Sequence, residues 1–108
     1  MESVIIVKEF LKKRLSEEEF MKCVQLMNTA TKLAKNQDVD QETVKIAGLL
    51  YNVGMDNAFE YLYQLNMPLN KVEKICNCIN PSLPDTESAE KEIVSKAIMI
   101  YGLEKIKE

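Results

Sequence analysis

Apolar residues recur along this chain at steps of three and four, with no alternating run of the two-residue kind, so the pattern predicts helices throughout and no sheet. Val4, Val7, Leu11 and Leu15, with Phe10 beside them, mark one face of a first helix over residues 3–14. Ser16-Glu17-Glu18-Glu19 then forms a capping box. In it the serine oxygen accepts an orphan backbone N–H and the third-position glutamate reaches back, so a second helix starts near Glu17. On that helix Phe20, Val24, Met27, Thr31 and Ala34 form one stripe, and Cys23, Leu26, Ala30 and Leu33 form another beside it. At about 100° per residue the two cover roughly half the circumference, which predicts a helix with neighbours on two sides. Lys22 falls at one edge of the arc, next to Leu26 and Leu33, while Gln25, Asn28, Lys32 and Lys35 take the wet side.

Asp38-Val39-Asp40 is a short connection, and Asp40 is a good N-cap for a third helix over residues 41–53. Val44, Ile46, Ala47, Leu49, Leu50, Tyr51 and Val53 surround most of it, so it is predicted to be nearly buried. Gln41, Lys45 and Asn52 share the remaining polar strip, with Gly48 beside them permitting close helix approach, and Gly54 fits a C-cap. A fourth helix, from Asp56 to Asn66, presents Phe59, Leu62, Tyr63 and Leu65 and stops before Pro68. Asn70 is expected to cap a fifth, which carries Val72, Ile75, Cys76 and Ile79 and ends before Pro81. Asp85 or Thr86 starts a sixth, through Tyr101, with Ala89, Ile93, Val94, Ala97, Ile98, Ile100 and Tyr101 inward, and Gly102 ends or kinks it. The expected fold is therefore all-α, one compact bundle of five to six helices over residues 1–108.

Composition narrows the function. With 17 acidic against 14 basic residues and Arg14 the only arginine, the chain is not expected to bind nucleic acid, where affinity rests on basic residues neutralising phosphate. Lys8, Lys12, Lys13 and Arg14 form a small basic cluster that interleaved acids make a solvated face. No apolar run approaches the roughly 20 residues that cross a bilayer. Val4-Ile5-Ile6-Val7 is too short for a signal-peptide core, so no membrane partner and a cytoplasmic location are expected. Three cysteines without secretory context suggest reduced thiols. Cys76 and Cys78, two apart on a helix, point to nearly opposite sides and cannot chelate together; Cys76 is read as core and Cys78 as bordering it. The chain contains no histidine, which removes the usual general base and the commonest transition-metal ligand together.

The helix pair from Phe20 to Gly54, with Ala30, Leu33 and Ala34 before an aspartate-bearing turn and Ala47, Leu49, Leu50 and Gly54 after it, resembles the core of the HD-domain metal-dependent phosphohydrolases. In that family a histidine on one helix, a His-Asp pair at the end of the next and a distant aspartate hold one or two divalent metals. The resemblance places the first histidine at Lys22, the pair at Tyr51 and Asn52, and the last aspartate at Ile98; Met55 stands where a lysine often follows the glycine. It thus implies an HD-like fold with a degenerate site. Lysine is a donor only, protonated tyrosine is a poor ligand, asparagine offers one neutral oxygen and isoleucine none, so no metal or other cofactor is expected there.

Two placements are open to Lys22: its ammonium replaces the lost cation, hydrogen-bonded by Asn52 or Tyr51, or it snorkels into water. Tyr51 is either a ligand contact or a core aromatic whose hydroxyl finds one acceptor. The function implied is a non-catalytic module that binds a protein partner, a second copy, or a nucleotide or other small anion. Two alternatives stay open. One is a phosphohydrolase with a non-standard metal site drawn from carboxylates such as Asp56, Glu60 and Asp85. The other is a structural helical partner with an apolar patch around Met67, Leu69 and Met99.

Overall fold

A computed structural model describes residues 2–107, with side chains as far as Gly102. Its centre is a ten-residue helix, α3 (Gln41–Leu50), in which every residue from Thr43 to Leu50 except Lys45 is buried. Around it stand α1 (Glu2–Arg14), α2 (Glu17–Ala34), α4 (Met55–Gln64), α5 (Leu69–Ile79) and α6 (Ala89–Lys107). No strand occurs among the described residues, so the protein is an all-α globule of six helices. Its radius of gyration of 12.8 Å is that of a folded unit of this length, about 13 Å.

The α2–α3 pair is set by two local features. Ser16 Oγ accepts from the Glu19 N–H at 3.1 Å while the Glu19 carboxylate accepts from the Ser16 N–H, which completes the capping box and fixes where α2 begins. Asp40 caps α3 by accepting from the Thr43 N–H at 3.2 Å. Gln41 then donates through Nε2 to the Ala34 carbonyl at 2.8 Å, tying the end of one helix to the start of the next. Between them Gly48 lies so close that a Cβ there would stand 3.0 Å from the Met27 Cα. The apolar stripes of α2 supply Cys23, Leu26, Met27, Ala30 and Ala34 to the core. Leu11 from α1, Leu62 from α4, Ile75 from α5 and Val94 from α6 form one contiguous cluster with Cys23, Met27, Ala30 and Ala34.

Two ion pairs fasten α5, and a hydrogen bond fastens α6, onto the start of α3. Lys74 Nζ lies 3.0 Å from Asp40 Oδ2, Lys71 pairs with Glu42, and the Asp40 N–H donates to Glu90 Oε2 at 3.1 Å. Burial pushes the Asp40 carboxyl up, but hydrogen bonds from Lys74 and Thr43 together outweigh it and hold the group below its usual value. The same hydrogen bond to Asp40 raises Lys74.

Several boundaries depart from the sequence pattern. The α-helix of α3 stops at Leu50, and Tyr51–Val53 form a 3₁₀ turn before Gly54 at φ 87°. Three residues per turn instead of 3.6 swing the register, so Tyr51 leaves the core and is 37% exposed. The α4 face is also rotated: Ala58 and Leu62 are buried, while Phe59 is 44% and Tyr63 71% exposed. Aromatic residues surround that helix, and the choice falls to Tyr61, whose ring packs on Phe10 with centroids 5.1 Å apart and beneath the Arg14 guanidinium. Helix α5 starts at Leu69, the Lys71 and Val72 amides donating to the Pro68 carbonyl, so Asn70 is not the cap. Ser88, not Asp85 or Thr86, caps α6 by accepting from the Lys91 N–H at 3.0 Å. Ala89 is exposed, and Gly102 neither ends nor breaks the helix. Cys78 is buried as fully as Cys76, since α5 packs against α3, α4 and α6.

Candidate functional site

The turn from Leu50 to Gly54 ends the central helix at the surface and faces the middle of α6. Between them lies a hollow of about 740 Å³, bordered by Tyr51 and Asn52 of the 3₁₀ turn, Cys78 of α5, and Lys91, Ser95 and Ile98 of α6. The three α6 residues are four and three apart and so share one helix face. A second hollow of about 520 Å³ adjoins it, with Asn52 and Val53 common to both; its far wall includes Lys22, Asn57, Tyr61 and Tyr101.

Tyr51, Asn52 and Ile98 therefore open onto one space, and Lys22 onto its neighbour. Ile98 is half-buried and also packs against the core. Asn52 is exposed, so the polar strip it was expected to share with Lys45 and Gln41 ends at the rim of the hollow. Lys22 forms no hydrogen bond to Tyr51 or Asn52. Its ammonium stands 3.7 Å from Glu18 Oε1, one turn back on the same helix, with the side chain 37% exposed. Of the two placements open to Lys22, it takes the partly exposed one, its ammonium beside the Glu18 carboxylate in the first turn of α2. Tyr51, over a third exposed, is not the core aromatic that the helical pattern allowed.

The positive charge at the first hollow comes from Lys91, to which the sequence pattern assigns no role. Lys91 is only 4% exposed, and its Nζ donates to the Asn80 carbonyl at 2.9 Å, at the carboxyl end of α5. A signal for it existed: Lys91 precedes Val94 by three and Ile98 by seven, which puts it on the apolar stripe of α6. Asp56 and Asp85 also border this hollow, and Asp85 Oδ1 accepts from the Ser95 hydroxyl at 3.0 Å. Glu60, the other carboxylate singled out, does not border it. Among the described residues no three His, Cys, Asp or Glu side chains come together as a metal-holding group.

The cysteines show no nucleophilic poise. Burial pushes the thiols of Cys23 and Cys76 up, and that of Cys78 up to about 11. Among the described residues no helix is long and apolar enough to cross a membrane. Met67, expected in an exposed patch, packs against the core, whereas Leu69 and Met99 are exposed. Comparison with protein-family profiles, with curated proteins and with solved structures returns no match.

Proposed function

We propose that this chain is a non-catalytic ligand-binding module, built on a helical frame similar to that of the HD phosphohydrolases and stripped of the groups that hold their metal. The observation that carries the reading is the meeting of Tyr51 and Asn52 with Ile98, 46 or more positions later, around one hollow of about 740 Å³. That size is typical of small-molecule sites. These are the positions to which the resemblance assigns the His-Asp pair and the distant aspartate. A hydrolytic cation needs anionic or imidazole ligands, and these three side chains supply neither. The space remains while the chemistry is gone. A nucleotide or other small anion is the ligand class this frame suggests.

Thermal-shift screening against nucleotides, with metal analysis of the purified protein, tests the reading. It expects a saturable rise in Tm with at least one nucleotide and no dependence on added divalent metal. Nucleotide hydrolysis that requires Mn or Mg would replace it with the phosphohydrolase alternative, for which Asp56 and Asp85 are the carboxylates at hand. A second reading, as a protein-partner or self-associating domain, is favoured by the row Met55, Phe59 and Tyr63 along the outer face of α4, each at least 36% exposed. Sedimentation that rises with concentration, and falls back in Phe59→Ser, would support it.

A further inference from the structure

Every other lysine of the described residues that is paired through its ammonium has a carboxylate partner: Lys22 with Glu18, Lys71 with Glu42, Lys74 with Asp40 and Lys96 with Glu92. Lys91, the most deeply buried of them, has none within 4.0 Å. Taking an ammonium out of water is costly unless its donors are met. One of its three N–H donors reaches the Asn80 carbonyl at 2.9 Å, where the negative end of α5 offsets part of that cost. The structure gives the other two no acceptor among the described residues, and the side chain forms part of the wall of the first hollow.

On the footing of the ligand-binding reading, we infer that Lys91 is the anion-recognising residue of this hollow. Its ligand carries a phosphate or carboxylate oxyanion that accepts the two remaining ammonium N–H donors. Charge-assisted bonds of this kind are strongest where water is thinned out, as it is around a 4%-exposed side chain. Asn52 brings an amide from the opposite wall, whereas the Ser95 hydroxyl, one turn along α6, already donates to Asp85 Oδ1 at 3.0 Å and offers an anion no donor while that bond holds. The carboxylates of Asp85 and Asp56 border the hollow too and repel an anion. The oxyanion therefore belongs at the Lys91 end, and Asp85 limits its affinity.

Inorganic phosphate and acetate are the minimal probes, titrated into the full chain and followed by calorimetry and by amide shifts in ¹⁵N-labelled protein. Saturable binding of at least one, with shifts at Asn52 and Ser95, is expected. Lys91→Met, which keeps the length and packing of the side chain, should weaken it by about tenfold or more. Asp85→Asn should tighten it by about two- to fivefold. Should Lys91→Met fail to fold by circular dichroism, Asp85→Asn carries the test, because Asp85 is exposed. Equal affinity in wild type and Lys91→Met, no tightening in Asp85→Asn, or shifts confined to the lysines of α1 would each overturn the inference. If neither anion binds while a neutral compound does so at the same amides, the inference fails and the ligand-binding reading stands. Absence of any ligand, charged or neutral, removes both.

Discussion

Replacing Gly48 with alanine sets two effects of known size against each other. An exposed helical glycine changed to alanine stabilises by about 0.5–1 kcal/mol, because alanine loses less backbone freedom on folding. Here, however, the added Cβ would lie 3.0 Å from the Met27 Cα, 3.3 Å from the Met27 N and 3.4 Å from the Leu26 carbonyl oxygen. All three are backbone atoms, so no side chain can swing aside and the two helices must separate by several tenths of an ångström. Strain of that kind in a packed core costs about 1–3 kcal/mol, which outweighs the propensity gain. Gly48→Ala is therefore expected to lose about 0.5–2 kcal/mol net. With a urea m-value of about 1–3 kcal/mol/M, a loss near 1 kcal/mol lowers the denaturation midpoint by roughly 0.3–1 M at unchanged m. A midpoint that rises would mean that helix propensity prevails, and the close contact of α2 with α3 described above would be refuted.

Two further outcomes follow from titratable groups. The folded Asp40 carboxyl lies below its unfolded value of about 3.9, so its contribution to stability is present above that pH and is lost as pH falls through the folded value. Asp40→Asn keeps a capping oxygen but removes the charge, so its loss of stability should stay within about 1 kcal/mol at pH 7 and vanish near pH 2, as paired urea melts would show. Cys23, Cys76 and Cys78 should react with a thiol reagent at pH 8 only as fast as the protein unfolds, because burial both shields them and disfavours the thiolate. Rapid labelling of any one in native protein would contradict its placement in the core.

The helices were legible because capping chemistry and apolar spacing agree at the same places. Ser16 with Glu19, and Asp40 ahead of Val44 and Ala47, both state where a helix begins and which side it buries. Where the sequence offers two answers, tertiary contacts decide. Residues 58–63 place Phe59, Tyr61, Leu62 and Tyr63 around the whole helix, and only the packing of Tyr61 on Phe10 turns Phe59 and Tyr63 outward. The site was partly legible. Tyr51, Asn52 and Ile98 border one hollow, but helical periodicity alone brings no residue of α6 to the end of α3, and that Tyr51 turns outward depends on a 3₁₀ turn that periodicity does not encode. Lys22 stands at the edge of the apolar arc of α2, and Glu18 one turn away takes its charge. Lys91 was hidden for a different reason. Lysine on an apolar stripe ordinarily snorkels to water, and its burial depends on the Asn80 carbonyl arriving from another helix.

The claim at the centre of this account is that the end of α3 and the middle of α6 form two walls of one binding site. The direct measurement is a titration of ¹⁵N-labelled protein with whichever nucleotide raises the Tm most. Amides of Asn52 and Val53 should move together with those of Ser95 and Ile98, all along one binding curve. Shifts that leave α6 unmoved, or that gather on the outer face of α4, would show that the ligand binds elsewhere.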